Sequence, residues 1–304
     1  MFSYISAIRY PGFIFSATAC LFAIAALSAP VFAGDGKRVV KIAGSTTVLP
    51  IASRAAETLN ARKGYAAFTV NAGGSGVGVH GIGVGLIQIG LVSREITDVE
   101  KERYADVNFK THLVGRDAIA CVVSSEIYDA GVKDLTRGQI RAIYLGKITN
   151  WKDVGGPNRR IVVIDKERHR GTRHVFMQYI FGDKNARAPG ARLVTGSNNE
   201  AQSKIAQSDT AIGMLSFAWI NDDVVGVAIR GGSKVIEPNL ENIQNETYPI
   251  LRSLNLITDG EPIGPVKDFI DYVLSSAGRK IVREAGYLPA GIFPPQKLAL
   301  GRRR

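Results

Sequence analysis

Cysteine is nearly absent: Cys20 and Cys121 are the only two among 304 residues. That excludes a disulfide-stapled scaffold and a four-cysteine zinc site. Acidic residues are in deficit, 27 against 38 Lys and Arg, leaving a formal charge of +11. Such a balance points to nucleic acid, an anionic membrane or a small anion as partner. Histidine is scarce as well, and His80, His112, His169 and His174 form no H-E-x-x-H. The nucleotide-binding pattern G-x-x-x-x-G-K-[ST] is missing, because Gly146-Lys147-Ile148-Thr149 lacks the preceding spacing. No enzyme constellation emerges, and no metal or cofactor is called for. Apolar residues are plentiful at 45%, enough to build a core and to exclude a wholly disordered chain. The length suits two domains or one large one.

Charge is also absent from the start of the chain, where Arg9 is the only charged residue before Asp35. An apolar run from Phe13 to Ala29 follows it, then Pro30 and Val31-Phe32-Ala33. A basic start, an apolar stretch and small residues before a cut describe a secretory signal peptide, here residues 1–33, cleaved after Ala33. A membrane anchor is the competing reading, but the run is at the short limit for spanning, and Pro30 followed by a small-residue site argues for cleavage. A lipid-anchored reading would use Cys20, which Ala17-Thr18-Ala19 supports poorly. After residue 33 no apolar stretch is long enough to span a bilayer. The expectation is an exported, periplasmic, monomeric protein whose only remaining cysteine is Cys121. Export weakens the case for nucleic acid as a partner.

Beyond the leader, strand-like and helix-like runs alternate. Arg38–Ala43, Phe68–Asn71, Ile87–Val92, Ala118–Ser124 and Ile161–Ile164 read as strands. Helices are expected over Ile51–Arg62, after the Thr136/Gln139 capping box, over Gly171–Phe181, from Ser197 to about Gln207, and around Val266–Leu274. The pattern is α/β, open sheets covered by helices. Residues 291–304, with Pro294-Pro295 and Arg302-Arg303-Arg304, read as a flexible basic tail.

Three junctions repeat one idea, small or hydroxyl residues where a strand stops and a helix starts: Gly44–Thr47, Gly73–Gly76 and Gly171–Thr172. A helix N-terminus offers unpaired N–H groups and a partial positive charge, hydroxyls add donors, and glycine permits close approach. If the three junctions converge at the carboxyl ends of the strands they form an oxyanion cage. The glycine-rich run Gly73–Gly85 formally contains G-x-G-x-x-G, but no acidic residue follows at the spacing a dinucleotide needs. It also misses G-x-S-x-G, since Val77 stands where the last glycine should be.

AGSTTVLP at 43–50, GGSGVG at 73–78, IGLVSREIT at 89–97 and LTRGQIRAIYLGKITNWKDVGG at 135–156 occur in this order, followed by GTR at 171–173, GSNNEA at 196–201, AIGMLS at 211–216 and GYLP at 286–289. Together they resemble the periplasmic phosphate-binding proteins of phosphate ABC transporters, over essentially the whole chain beyond the leader. The resemblance implies a two-lobed type II periplasmic-binding-protein fold with a ligand cleft between the lobes. It implies lobe 1 over 34–118 and 252–290 and lobe 2 over 119–251, with crossings near Arg116–Cys121 and Tyr248–Asn255. It further implies capture of inorganic phosphate without catalysis or cofactor, and delivery to a membrane ABC permease. Carried over by position, the phosphate contacts are Ser45, Thr46, Thr47, Ser75, Gly76, Ser93, Arg94, Lys166, Arg170, Gly171 and Thr172, while Arg173 braces its loop.

Three positions depart from the family pattern: Val77 stands for Thr, Gln88 for Asp, and Arg170 for a ligand Ser. Phosphate near neutral pH still carries a proton, so a selective site needs an acceptor that sulfate would not tolerate. Glu167 and Glu95 are candidates, unless they pair with Arg168 and Arg94. Arg170 either points inward and alters the preferred anion or points to solvent. The alternative function is therefore a secreted oxyanion sensor, or a binder of a sulfate-like anion or organic phosphate on the same fold. A polyanion binder using the basic tail is a further alternative.

Overall fold

The computed structural model describes residues 38–62 and 66–291. The leader with its cleavage site and the basic tail lie outside the described residues. Among those described, no helix is long and apolar enough to cross a membrane, and no group of His, Cys, Asp or Glu is placed to hold a metal ion.

The chain starts as parallel β/α units. β1 (Arg38–Gly44) leads into α1 (Leu49–Ala61), then β2 (Ala66–Ala72), α2 (Ser75–Gly83) and β3 (Ile89–Val92). β1 lies between β2 and β3, parallel to both. Apolar alternation on these strands buries Val40, Ile42, Phe68 and Leu91 against Ile51 and Ala55 of α1. α2 follows a glycine-rich sequence of poor helix propensity. It persists because the glycines let it lie directly on the strands: a Cβ at Gly78 would sit 2.7 Å from the Leu91 carbonyl oxygen. α3 (Asp98–Arg103) carries a complete capping box between Thr97 and Glu100.

β4 (Phe109–Ser124) is far longer than the Ala118–Ser124 strand expected from the sequence. Its polar first half hides the strand from a hydropathy reading, whereas its last eleven residues are buried without interruption. β4 is also where the architecture divides. Residues 109–118 pair with β12 (Leu251–Asp259), which continues the first sheet through β3. Residues 119–124 pair with β8 (Ala211–Ser216) and β9 (Val224–Gly226) of a second sheet.

Between these strands run α4 (Ser125–Asp129), β5 (Asp134–Thr136), α5 (Arg137–Tyr144), β6 (Val162–Lys166), α6 (Gly171–Phe181), β7 (Ala191–Thr195) and α7 (Asn198–Ala206). β6 pairs in parallel with both β7 and β8. The strand order through both sheets is β2-β1-β3-β12-β4-β8-β6-β7. A small sheet of β5, β10 (Ala228–Gly231) and β11 (Lys234–Ile236) lies apart, followed by α8 (Leu240–Gln244). The chain then returns through β12 to α9 (Gly264–Leu274), α10 (Ser276–Glu284) and β13 (Leu288–Pro289), which pairs with β4.

Each sheet has its own core. Phe269 and Ile270 of α9 close the first, with Phe68 and Phe269 at a ring-centroid distance of 5.2 Å. Trp151, Tyr144, Phe176 and Met177 fill the second, where the Trp151 indole donates to the Thr210 carbonyl at 3.0 Å. Large aromatic side chains dominate such cores.

Candidate functional site: a buried anion cage

α1, α2 and α6 begin at the three junctions marked in the sequence, and none has a side-chain cap. Val48 is the cap residue of α1, and the Ser45 carbonyl accepts from the Val48 and Leu49 N–H groups. The side chains of Ser45–Thr47 are thus not consumed as helix caps. α7 differs, being capped by the Ser197 side chain.

The hydroxyls converge. Ser45 Oγ donates to Ser93 Oγ at 2.9 Å, and Ser75 Oγ accepts from the Ser93 N–H at 3.1 Å. Gly171, at the start of α6, packs directly on them: a Cβ there would overlap Ser75 Oγ and lie 2.6 Å from Ser93 Oγ. The first and second strand sets therefore meet at this point. Ser45, Thr46, Thr47, Ser75, Ser93 and Thr172 are all buried.

At the centre lies Arg252, from β12. Its guanidinium donates to Thr172 Oγ1 at 2.9 Å, Thr47 Oγ1 at 3.0 Å and Ser93 Oγ at 3.3 Å. Its Nε and Nη2 hold Asp117 Oδ2 at 2.8 and 2.6 Å, with both side chains 1% exposed. Burial pushes the Asp117 carboxyl up, and Arg252 opposes that shift. Asp117 Oδ1 is buried without a hydrogen-bond partner. The Asn198 amide, from the first turn of α7, donates to Thr47 Oγ1 at 3.0 Å.

Lys166 ends β6 in the same region, fully buried, with Nζ on the Ser197 carbonyl at 2.9 Å. Burial brings its ammonium down to about 7, helped by the positive fields of Arg170 and Arg252. Buried cations gathered with donor hydroxyls are matched to an oxyanion, which accepts from all of them.

Other expected contacts are engaged elsewhere. Arg94 donates to both Glu100 oxygens, at 2.8 and 2.7 Å, and to the Glu95 carbonyl. Arg170 binds Glu167, with Nε 2.7 Å from Oε2. The Gly76 N–H donates to the His169 carbonyl at 3.1 Å. Arg173 grips Asp165 and the Ala186 carbonyl, and so braces the loop. The Gln88 side chain accepts from the Lys41 N–H at the strand edge, and Val77 is partly exposed. Both of these departures lie outside the hydroxyl cluster.

Sequence reasoning missed Arg252, Asp117 and Asn198. A signal was present: Asp117 and Arg252 are charges of opposite sign embedded in the two apolar stretches expected to cross between lobes. A charge in such a run is costly unless paired.

The chain is similar to proteins of one family. The family model of the PBP superfamily domain matches residues 32–277. The Bacillus subtilis phosphate-binding protein PstS is 33% identical over 82% of this chain and 79% of its own length. The Borreliella burgdorferi protein of the same name is 30% identical over 84% and 91%. Among solved structures, a putative phosphate ABC transporter substrate-binding protein from Clostridium perfringens, with bound phosphate, has a TM-score of 0.74 at 30% identity, covering 83% of this chain and 99% of its own. An ABC-type phosphate transport receptor from Vibrio cholerae has a TM-score of 0.66 at 29% identity, covering 82% and 99%.

Fold and cage together define a substrate-binding protein of the type II periplasmic-binding fold, a binder and not an enzyme. The chain belongs to the PBP superfamily, within the family of the PstS phosphate-binding proteins.

Proposed function

We propose that this protein captures inorganic phosphate between its two lobes outside the cytoplasm and delivers it to a membrane ABC permease. The observation that carries this reading is Arg252, a buried guanidinium that binds hydroxyls from both strand sets, Thr47 and Ser93 on one side and Thr172 on the other. Phosphate entering here exchanges those hydroxyl contacts for its own oxygens. Ser45, Thr46, Thr47, Ser75 and Ser93 supply donors from the first lobe, and Lys166, Gly171 and Thr172 from the second.

Asp117 is the carboxylate joined to the cage, and it takes the acceptor role in place of Glu167, which Arg170 occupies. A carboxylate that accepts the phosphate proton repels fully ionised sulfate. The lobe limits proposed are 34–118 with 252–290, and 119–251. The change of β4 partner from β12 to β8 between Ala118 and Ile119 supports them. Similarity to named phosphate transport receptors supports the permease as partner.

The test is thermal unfolding of the mature chain, stripped of anion, with phosphate, arsenate or sulfate. A ligand at about 100 times its dissociation constant adds roughly 2.7 kcal/mol of stability. Stabilisation by phosphate and arsenate but not sulfate is expected. An equal response to sulfate, or none to phosphate, would overturn the reading.

A further inference from the structure

The loop between β6 and α6 reaches across the cleft to the glycine-rich start of α2, beside the hydroxyl cluster. His169 donates from Nε2 to the Gly73 carbonyl at 3.0 Å, and its own carbonyl accepts from the Gly76 N–H at 3.1 Å. The aliphatic stem of Arg170 lies on Gly74, where a Cβ would fall 2.9 Å from Cδ. Its guanidinium sits over Gly196, 2.8 Å from where a Cβ would be, and is held there by Glu167. A Cβ at Gly76 would in turn lie 3.0 Å from His169 Cβ. The absence of side chains at 74 and 76 on one lobe, and at 196 on the other, is what lets this segment seat.

We propose that His169 and Arg170 form a clasp across the cleft that sets how long the anion stays bound, leaving the choice of anion to the buried cage. The proposal rests on the phosphate reading of that cage. His169 and the Arg170 stem touch the first lobe only when the lobes are together, so these contacts favour the closed conformation alone. An anion sealed beneath them leaves only after they break, so the clasp acts on dissociation more than on association. Arg170 is suited to this role and not to anion contact, because Glu167 already neutralises its guanidinium. The same segment takes up the Gly76 N–H, which the family resemblance assigns to the anion.

The experiment measures phosphate dissociation by stopped flow on the full mature chain, as wild type and as His169→Ala, Arg170→Ala and Gly76→Ala. Gly76→Ala disturbs the clasp from the opposite lobe at a position whose backbone is not left-handed, so it covers the case in which a loop variant fails to fold. Thermal unfolding verifies that each variant is folded. Small-angle scattering without phosphate reads the closure of the same samples. The expected result is a dissociation rate raised about tenfold, as for the loss of one or two hydrogen bonds, an unchanged preference for phosphate over sulfate, and a larger radius of gyration in the variants.

Unchanged dissociation in both loop variants would overturn the clasp. So would a changed anion preference in Arg170→Ala, because it would make Arg170 a ligand. If the wild type binds no phosphate, the phosphate reading fails on its own; the clasp is then judged by scattering, and variants as compact as the wild type would overturn it.

Discussion

Arg252 and Asp117 form a buried pair in which each side chain depends on the other. Removing only the arginine leaves a carboxylate in a dry interior, and breaking a buried pair in this way costs about 3–5 kcal/mol. Arg252→Ala is therefore expected to lose phosphate affinity and also to melt early, whereas the Asp117→Asn, Arg252→Met double variant recovers stability but not binding. Calorimetry of both variants separates the two effects. Asp117→Asn alone tests the acceptor role: its phosphate-to-sulfate preference, measured by competition, should fall. Thr172→Ala or Thr47→Ala removes one hydrogen bond to a charged ligand and is expected to weaken binding by roughly 1–3 kcal/mol; unchanged affinity in both would remove these residues from the site.

Lys166 adds a pH dependence whose sign follows from its burial. Its folded value near 7 lies below the ordinary 10.5, so above pH 7 the unfolded chain holds a proton that the folded chain lacks. Stability from this residue accordingly rises with pH through that window, and the burial penalty is fully present below it. A bound anion reverses the preference and favours the charged amine. Binding near pH 8 is expected to take up protons, seen as a buffer-dependent heat that is smaller in Lys166→Met.

At the level of elements, the decisive feature is that α1, α2 and α6 start without side-chain caps while their neighbouring hydroxyls point at one another. Gly171 makes that approach possible. Gly171→Ala should leave α6 intact, since alanine is the better helix former, yet push Ser75 and Ser93 out of place. The expected outcome is a folded protein, by circular dichroism, with phosphate affinity lowered at least tenfold. The capping box of α5 is a control far from the cage. There Thr136 accepts from Gln139 N–H and Gln139 reciprocates, so Thr136→Ala should cost about 1 kcal/mol of stability and no affinity.

For the whole molecule, β4 and β12 run through both the first sheet and the approach to the second, and they place Asp117 and Arg252 at the division between them. Charges at a division between lobes are seated by closure, which is how a hinge converts anion binding into a change of shape. Phosphate is expected to contract the mature chain in small-angle scattering, and Arg252→Ala to abolish the contraction.

The local features were legible in the sequence because they depend on neighbours along the chain. Gly171–Phe181 reads residue for residue as helix, and the Thr136/Gln139 capping box declares itself at a three-residue spacing. The three hydroxyl junctions were likewise visible, and the motif order was sufficient for the family. Tertiary structure alone decided which donors meet. Arg252 reaches Thr47 across 205 positions and Thr172 across 80, and no periodicity encodes such a contact. It also decided that Arg94 turns to Glu100 and Arg170 to Glu167, because a long cation takes whichever carboxylate the fold brings within reach. The physical reason is range: propensity and capping act over one turn of backbone, whereas an anion cage exists only once distant strands are packed side by side.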